Sequence, residues 1–227
     1  MMRFFIGLLI AMITCSAQAN ISLGVTRVIF NEGSKDVTLF VRNSAQETPF
    51  LVQSWISDPA HNDSASDQFL LTPPLFRMAA GAENLLRIID TSSSLPNDRE
   101  SLFKINVKAI PPAPDKGKSA NTLQIALKTT IKLFYRPAFM KEMKLEDEVA
   151  KVTWHQSADK ITLLNPTPFN IALSKVLVNS AQAEDVQSNL AAKGELSFHA
   201  PKKNASEVEI EYINDYGGVV KKKIKKE

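Results

Sequence analysis

The chain has 227 residues, 44% of them hydrophobic and 22% charged, with twelve prolines and eight glycines. This is the balance of a soluble folded protein with material for one large or two ordinary domains, and it excludes disordered and collagen-like classes. The formal charge of +3 is too small to imply a polyanionic partner by itself.

The first residues read as an export signal. Arg3 supplies a short positive region, residues 4–13 are apolar, and Ala17-Gln18-Ala19 is a small-residue cleavage site. The apolar run is too short to span a bilayer. The mature chain is therefore expected to begin at Asn20, with residues 1–19 removed and no stable membrane insertion. Lipidation at Cys15 is the rival reading, but Met12-Ile13-Thr14 lacks the small residues such a site needs. Cleavage takes Arg3 and Cys15 away, so +3 less one leaves +2, and the mature chain has no cysteine. An exported protein without disulfides must rest on hydrophobic cores, and a cysteine-type zinc site is impossible.

In chain order, β-rich runs separated by turn residues follow at 21–30, 37–42, 50–56, 69–77, 84–90 and 101–110. Pro73-Pro74 confines the fourth run to a sheet edge or a bend. The break at 111–120, PPAPDKGKSA, leads into the longest run, 121–137. There Leu123, Ile125, Leu127, Ile131, Leu133 and Tyr135 alternate with Thr122, Gln124, Lys128, Thr130, Lys132 and Arg136. Strict alternation predicts a strand with one apolar face. At about 14 residues it should outrun its sheet, since strands usually number five or six, and expose an apolar edge able to pair with something else.

A charged stretch at 141–148, with some helical character, reads as an interdomain connection. A second β-rich set follows at 151–155, 161–164, 169–178, 195–199, 207–213 and 219–224. The expected fold is all-β, two immunoglobulin-like sandwiches covering residues 20–138 and 139–227. The basic run Lys221-Lys222-Lys223-Ile224-Lys225-Lys226 reads as a solvated last strand; nothing else in the sequence supports nucleic-acid contact.

Signatures of catalysis are lacking. His61, His155 and His199 are scattered, without metal-ligand spacing, and no nucleophile elbow, zinc-protease motif or phosphate loop occurs. No cofactor, metal or enzymatic activity is expected. Two basic residues sit inside otherwise apolar strands: Arg27 in Val25-Thr26-Arg27-Val28-Ile29-Phe30, and Lys132 in Ile131-Lys132-Leu133-Phe134. Either both point to solvent, or they share an anion site able to hold a carboxylate.

Six runs stand in sequence: Thr26-Arg27-Val28-Ile29-Phe30; Pro73-Pro74 with Arg77; Asp98-Arg99-Glu100-Ser101-Leu102-Phe103; Ile131-Lys132-Leu133-Phe134-Tyr135-Arg136-Pro137; Asn165-Pro166-Thr167-Pro168; and Tyr212-Ile213-Asn214-Asp215-Tyr216-Gly217-Gly218. Together they resemble the motifs of the PapD-like periplasmic pilus chaperones, in the family's order and over nearly the whole mature chain. The resemblance implies two immunoglobulin-like domains in a boomerang arrangement, and residence in the periplasm. It implies that Arg27 and Lys132 bind the pilin's C-terminal carboxylate. Leu123, Ile125 and Leu127 would be lent to pilins that lack a strand, which is donor-strand complementation. Glu100, Arg136 and Asp215 would form an interdomain ionic cluster. The implied partners are pilus subunits and an outer-membrane usher, with self-association through the exposed strand a further possibility. Two departures stand out: the second domain lacks the disulfide common in the family, and the short 111–120 loop points to the family's short-loop branch.

Overall fold

The computed structural model describes residues 21–59, 64–92, 94–113, 123–201 and 204–227. They fold into two β-sandwich domains, each around its own hydrophobic core.

The first domain comprises β1 (Ile21–Leu23), β2 (Arg27–Asn31), β3 (Val37–Asn43), β4 (Phe50–Ser57), β5 (Phe69–Thr72), β6 (Leu75–Met78), β7 (Glu83–Asp90), β8 (Ser101–Ile110) and β9 (Leu127–Arg136). One sheet has the order β1-β3-β7-β5 and the other β2-β9-β8-β4-β6. Alternation sends Leu39, Val41, Leu86 and Ile88 of the first sheet against Val52, Ile105, Val107 and Leu133 of the second. At one end Phe30, Phe69, Phe103 and Tyr135 interlock, with ring centroids 5.0–6.2 Å apart.

Three expected runs are divided or shortened. The run at 21–30 breaks at residues 24–26, so that β1 and β2 join different sheets. Pro73-Pro74 divides the run at 69–77 into β5 and β6, which are edge strands of opposite sheets. Edges suit residues near prolines, which cannot donate to a ladder. The long run becomes a strand only from Leu127, because its partner β8 ends at Ile110. Ala109 opposite Leu127 is the last pair, and Pro111-Pro112 cannot extend the ladder. Residues 123–126 therefore lie outside any strand, held by a bond from Gln124 Nε2 to the Pro112 carbonyl at 2.7 Å. Asn121, Thr122 and most of the 111–120 loop lie outside the described residues.

The connection at 141–148 is not simply a charged tether. It carries α1 (Leu145–Glu148) and is flanked by 3₁₀ turns at Ala138–Met140 and Val149–Lys151. Met140, Leu145 and Val149 are buried in the second core, and buried Glu148 pairs with Lys151 at 2.5 Å. The second domain continues with β10 (Thr153–Ser157), β11 (Lys160–Asn165), β12 (Ala172–Val178), β13 (Ala181–Gln182), β14 (Gly194–His199), β15 (Val208–Ile213) and β16 (Val219–Lys226). Their order is β13-β12-β15-β16-β10-β11-β14, with β16 joined to β10 through only two residue pairs. Residues 166–170 make a turn rather than a strand, tied by Asn165 Nδ2 at the end of β11 to the Phe169 and Ala191 carbonyls, each at 2.8 Å. The lysine-rich run is β16 itself. Lys221 pairs with Glu211 (3.2 Å) and Lys223 with Glu207 (2.7 Å), while Lys226 lies 5.2 Å from the Trp154 ring centre. Its charges are largely met within the domain.

Candidate functional site

The site is built on β9, which has two different edges. Along one, β8 pairs with Leu127 through Tyr135. Along the other, the parallel strand β2 pairs only with Lys132 through Arg136. Residues 127–131 therefore have a ladder partner on one side alone, about 17 Å of strand at 3.3 Å per residue. The strand does outrun its sheet, by an uncovered edge rather than by extra length.

Side-chain parity then separates two surfaces. Ile131, Leu133 and Tyr135 point into the first core. Leu123, Ile125 and Leu127 continue that parity beyond the core and are 83%, 61% and 59% exposed. Ile125, Leu127 and Thr129 line a cavity of about 140 Å³ with Ile21, Phe50, Val107 and Ala109, at the mouth between the two sheets. An apolar rim at an uncovered strand edge is what a soluble protein normally avoids.

The opposite face carries the charges. Arg27 of β2 lies directly opposite Lys132 of β9. Arg27 is buried to 8% exposure, and Lys132 is half-buried. Neither meets a carboxylate among the described residues. Arg27 Nη1 donates to the Ile213 carbonyl at 2.8 Å, and Lys132 Nζ donates to the Ser188 carbonyl, both oxygens belonging to the second domain. The Nε of Arg27 is buried without a partner. Burial lowers the pKa of Arg27, partly offset by Asp215. Burial, then the charges of Arg27 and Lys104, push Lys132 down to about 8. The two cations thus stand side by side in a partly dry cleft, their hydrogen-bond partners being carbonyl oxygens of the second domain.

A second constellation joins the domains just beyond the pair. Arg136, at the end of β9, bonds Glu100 through Nε at 2.8 Å and Nη2 at 2.7 Å. It grips Asp215 with both terminal nitrogens, at 2.8 and 3.1 Å, and its guanidinium lies 4.9 Å from the Phe169 ring centre. Glu100 also accepts the Asn170 N–H at 2.9 Å, and its own N–H donates to the Pro168 carbonyl at 2.8 Å. Burial raises Glu100 to about 7, against the opposing pull of Arg136. Asp215 is presented by the β15–β16 turn, where Asn214 Oδ1 accepts the N–H groups of Tyr216 (3.2 Å) and Gly218 (2.8 Å). Gly217 in that turn has φ +86, and a Cβ there would meet Thr26 Oγ1 at 2.7 Å.

Sequence reading missed two groups at this junction. Asp98 pairs with Lys193 across the domains at 2.7 Å, and Lys104 lies directly opposite Lys132 on β8. Asp98 and Lys193 lie in loops far apart in sequence, and a polar residue in an alternating strand such as Lys104 carries no mark of what stands beside it, so neither group had a signal. His155 and His199 each face a single carboxylate, Glu227 and Asp159, at 3.3 Å; His61 lies outside the described residues. Among the described residues no group of three or more metal-ligating side chains occurs, and no helix is long and apolar enough to cross a membrane.

Comparison with known proteins agrees with this architecture in both halves. The family model for the pili and flagellar-assembly chaperone PapD N-terminal domain matches residues 20–141, and that for the pili assembly chaperone PapD C-terminal domain matches residues 147–224. The chaperone protein FimC of Escherichia coli O6:H1 is 40% identical over 209 residues, 91% of this chain and 84% of its own. The chaperone protein LpfB of Salmonella typhimurium is 37% identical, over 93% and 91%. Among solved structures, the Salmonella enterica SafA pilin in complex with the SafB chaperone aligns with a TM-score of 0.81, 30% identity, and 91% and 95% coverage of the two chains. The Escherichia coli chaperone DraB aligns with a TM-score of 0.79, 35% identity, and 91% and 95% coverage. With both of its sandwiches matched in order, the chain belongs to the PapD-like pilus assembly chaperones.

Proposed function

We propose that this chain is a non-enzymatic periplasmic chaperone that binds pilus subunits and delivers them to an outer-membrane usher, with Arg27 and Lys132 receiving the subunit's C-terminal carboxylate. The observation that carries the reading is the Arg27–Lys132 pair, cross-strand neighbours without a carboxylate, at the closed end of an uncovered apolar edge. A subunit lacking a strand would lie along residues 123–131, with Leu123, Ile125 and Leu127 entering its groove. Each of these side chains contributes roughly 1.5–3 kcal/mol when buried, and backbone bonds along the edge set the register. Glu100, Arg136 and Asp215 would hold the angle between the domains. The export signal read at residues 1–19 supports residence in the periplasm, as does membership of a family of periplasmic chaperones. The boundary between the domains falls at 138/139 on this reading, just before Met140 enters the second core.

The test is periplasmic capture of the subunit by Arg27→Ala and Lys132→Ala variants. Loss of one charge that holds a desolvated carboxylate should cost about 3–5 kcal/mol, leaving no recoverable complex, while circular dichroism stays that of the parent. Capture at the parental level by either variant would overturn the assignment.

A further inference from the structure

The anion site extends one strand further than the pair just described. Lys104 on β8 lies directly opposite Lys132 on β9, as Arg27 on β2 does from the other side. Cross-strand partners share a face, so the three cations stand in a row about 10 Å long across three adjacent strands. Past Lys104 the row ends at buried Ser57 of β4, whose Oγ already accepts a bond from Asn106. Lys104 is half-buried, and its ammonium has no ion pair or side-chain hydrogen bond among the described residues. The carboxylate that acts electrostatically on Arg27 is Asp215, which is gripped by Arg136.

Like charges directly opposite one another destabilise a sheet. Here two such pairs share Lys132, and a lysine on a polar strand face could be neutral at no structural cost. A single terminal carboxylate brings one negative charge to three positive ones. It can lie between Arg27 and Lys132, but it leaves Lys104 unmatched.

Resting on the carboxylate-binding reading above, we propose that Lys104 is a specificity residue that selects subunits carrying an acidic side chain within the last few residues before the C-terminus. The partner is thus a dianionic chain end, its carboxylate on Arg27 and Lys132 and its acidic side chain on Lys104. Two carboxylates in one or neighbouring residues span the distance between adjacent strands, which matches the spacing of the row.

The experiment uses two synthetic peptides of alternating valine and threonine with free C-terminal carboxylates, their last three residues being glutamates in one and glutamines in the other. Binding is measured to the full chain and to Lys104→Met, Lys108→Met and Arg27→Ala variants. Lys108 lies on the same face of β8, about 13 Å along the strand, and controls for the general field. The parent should bind the glutamate peptide roughly three- to tenfold more tightly, as expected for a half-buried ion pair. Lys104→Met should abolish that preference and Lys108→Met should keep it. Equal binding of both peptides by the parent would overturn the proposal, as would loss of preference in Lys108→Met as complete as in Lys104→Met. Arg27→Ala separates the two levels. If it binds either peptide like the parent, the carboxylate site itself fails. If it binds neither while the parent shows no preference, only the role of Lys104 fails.

Discussion

Replacing Lys132 with methionine should make the unliganded chain more stable while it destroys subunit binding. The side chain keeps its length and apolar stem but loses a charge that the fold holds at a cost. Burial, Arg27 and Lys104 bring its pKa from 10.5 to about 8. At about 1.4 kcal/mol per tenfold change in proton affinity this is at most about 3.5 kcal/mol. Solvent access to the half-buried amine reduces it to about 1–2 kcal/mol. The lost bond to the Ser188 carbonyl opposes the gain only weakly, since that oxygen lies at the surface and can return to water. The direction with pH follows from the depressed value: the unfolded chain binds more protons between pH 8 and 10.5, so parental stability rises through that window. Thermal unfolding should therefore place Lys132→Met a few degrees above the parent near neutral pH, at about 2–4 °C per kcal/mol, with the gap closing towards about pH 10.5. A methionine variant less stable than the parent at neutral pH would refute the reasoning, and so would an advantage that does not shrink as the pH is raised.

The same titration governs recognition: subunit affinity should fall as pH rises above about 8, read by competition with a labelled C-terminal peptide, because the neutral amine no longer attracts a carboxylate. Aspartate at Leu123, Ile125 or Leu127 should leave the unfolding midpoint within about 0.5 kcal/mol of the parent, since these side chains are exposed, and should abolish capture of subunits in a pull-down. Glu100, raised from 4.5 to about 7, favours the fold most when protonated, so parental stability should fall as pH rises through that window; Glu100→Gln should flatten this dependence in denaturant titrations. Gly217→Ala should cost about 1–2 kcal/mol by chemical denaturation, because alanine resists the positive φ and its Cβ meets Thr26.

Much of this architecture could be read from alternation, because a period of two states which residues share a face. Ile131, Leu133 and Tyr135 went to the core and Lys132 to the other face on that ground alone. Alternation says nothing of whether a neighbouring strand exists, which is why the run from 121 appeared continuous although β8 stops at Pro111-Pro112. It also could not show that β1 and β2 part at residues 24–26, since each half keeps its parity within a different sheet. The stretch at 141–148 showed its helical character, but Leu145 and the following Val149 are too few to form a periodic signal of their burial in the second core. Arg27 drew notice because a guanidinium interrupts an apolar run. Lys104 drew none, because only the register across three strands brings it beside Lys132.

The short reach of β2 has a consequence for what can dock. Because β2 occupies the edge of β9 from Lys132 onward, a visiting strand laid along residues 127–131 meets a physical end-stop at Arg27. The stop is also charged, so on the proposed reading it would accept a chain terminus and reject a strand that continues. Position along the edge is then counted from the visitor's last residue. A slip of one residue would turn every apolar side chain to the wrong face, so the end-stop works as a gauge of strand length and phase at once.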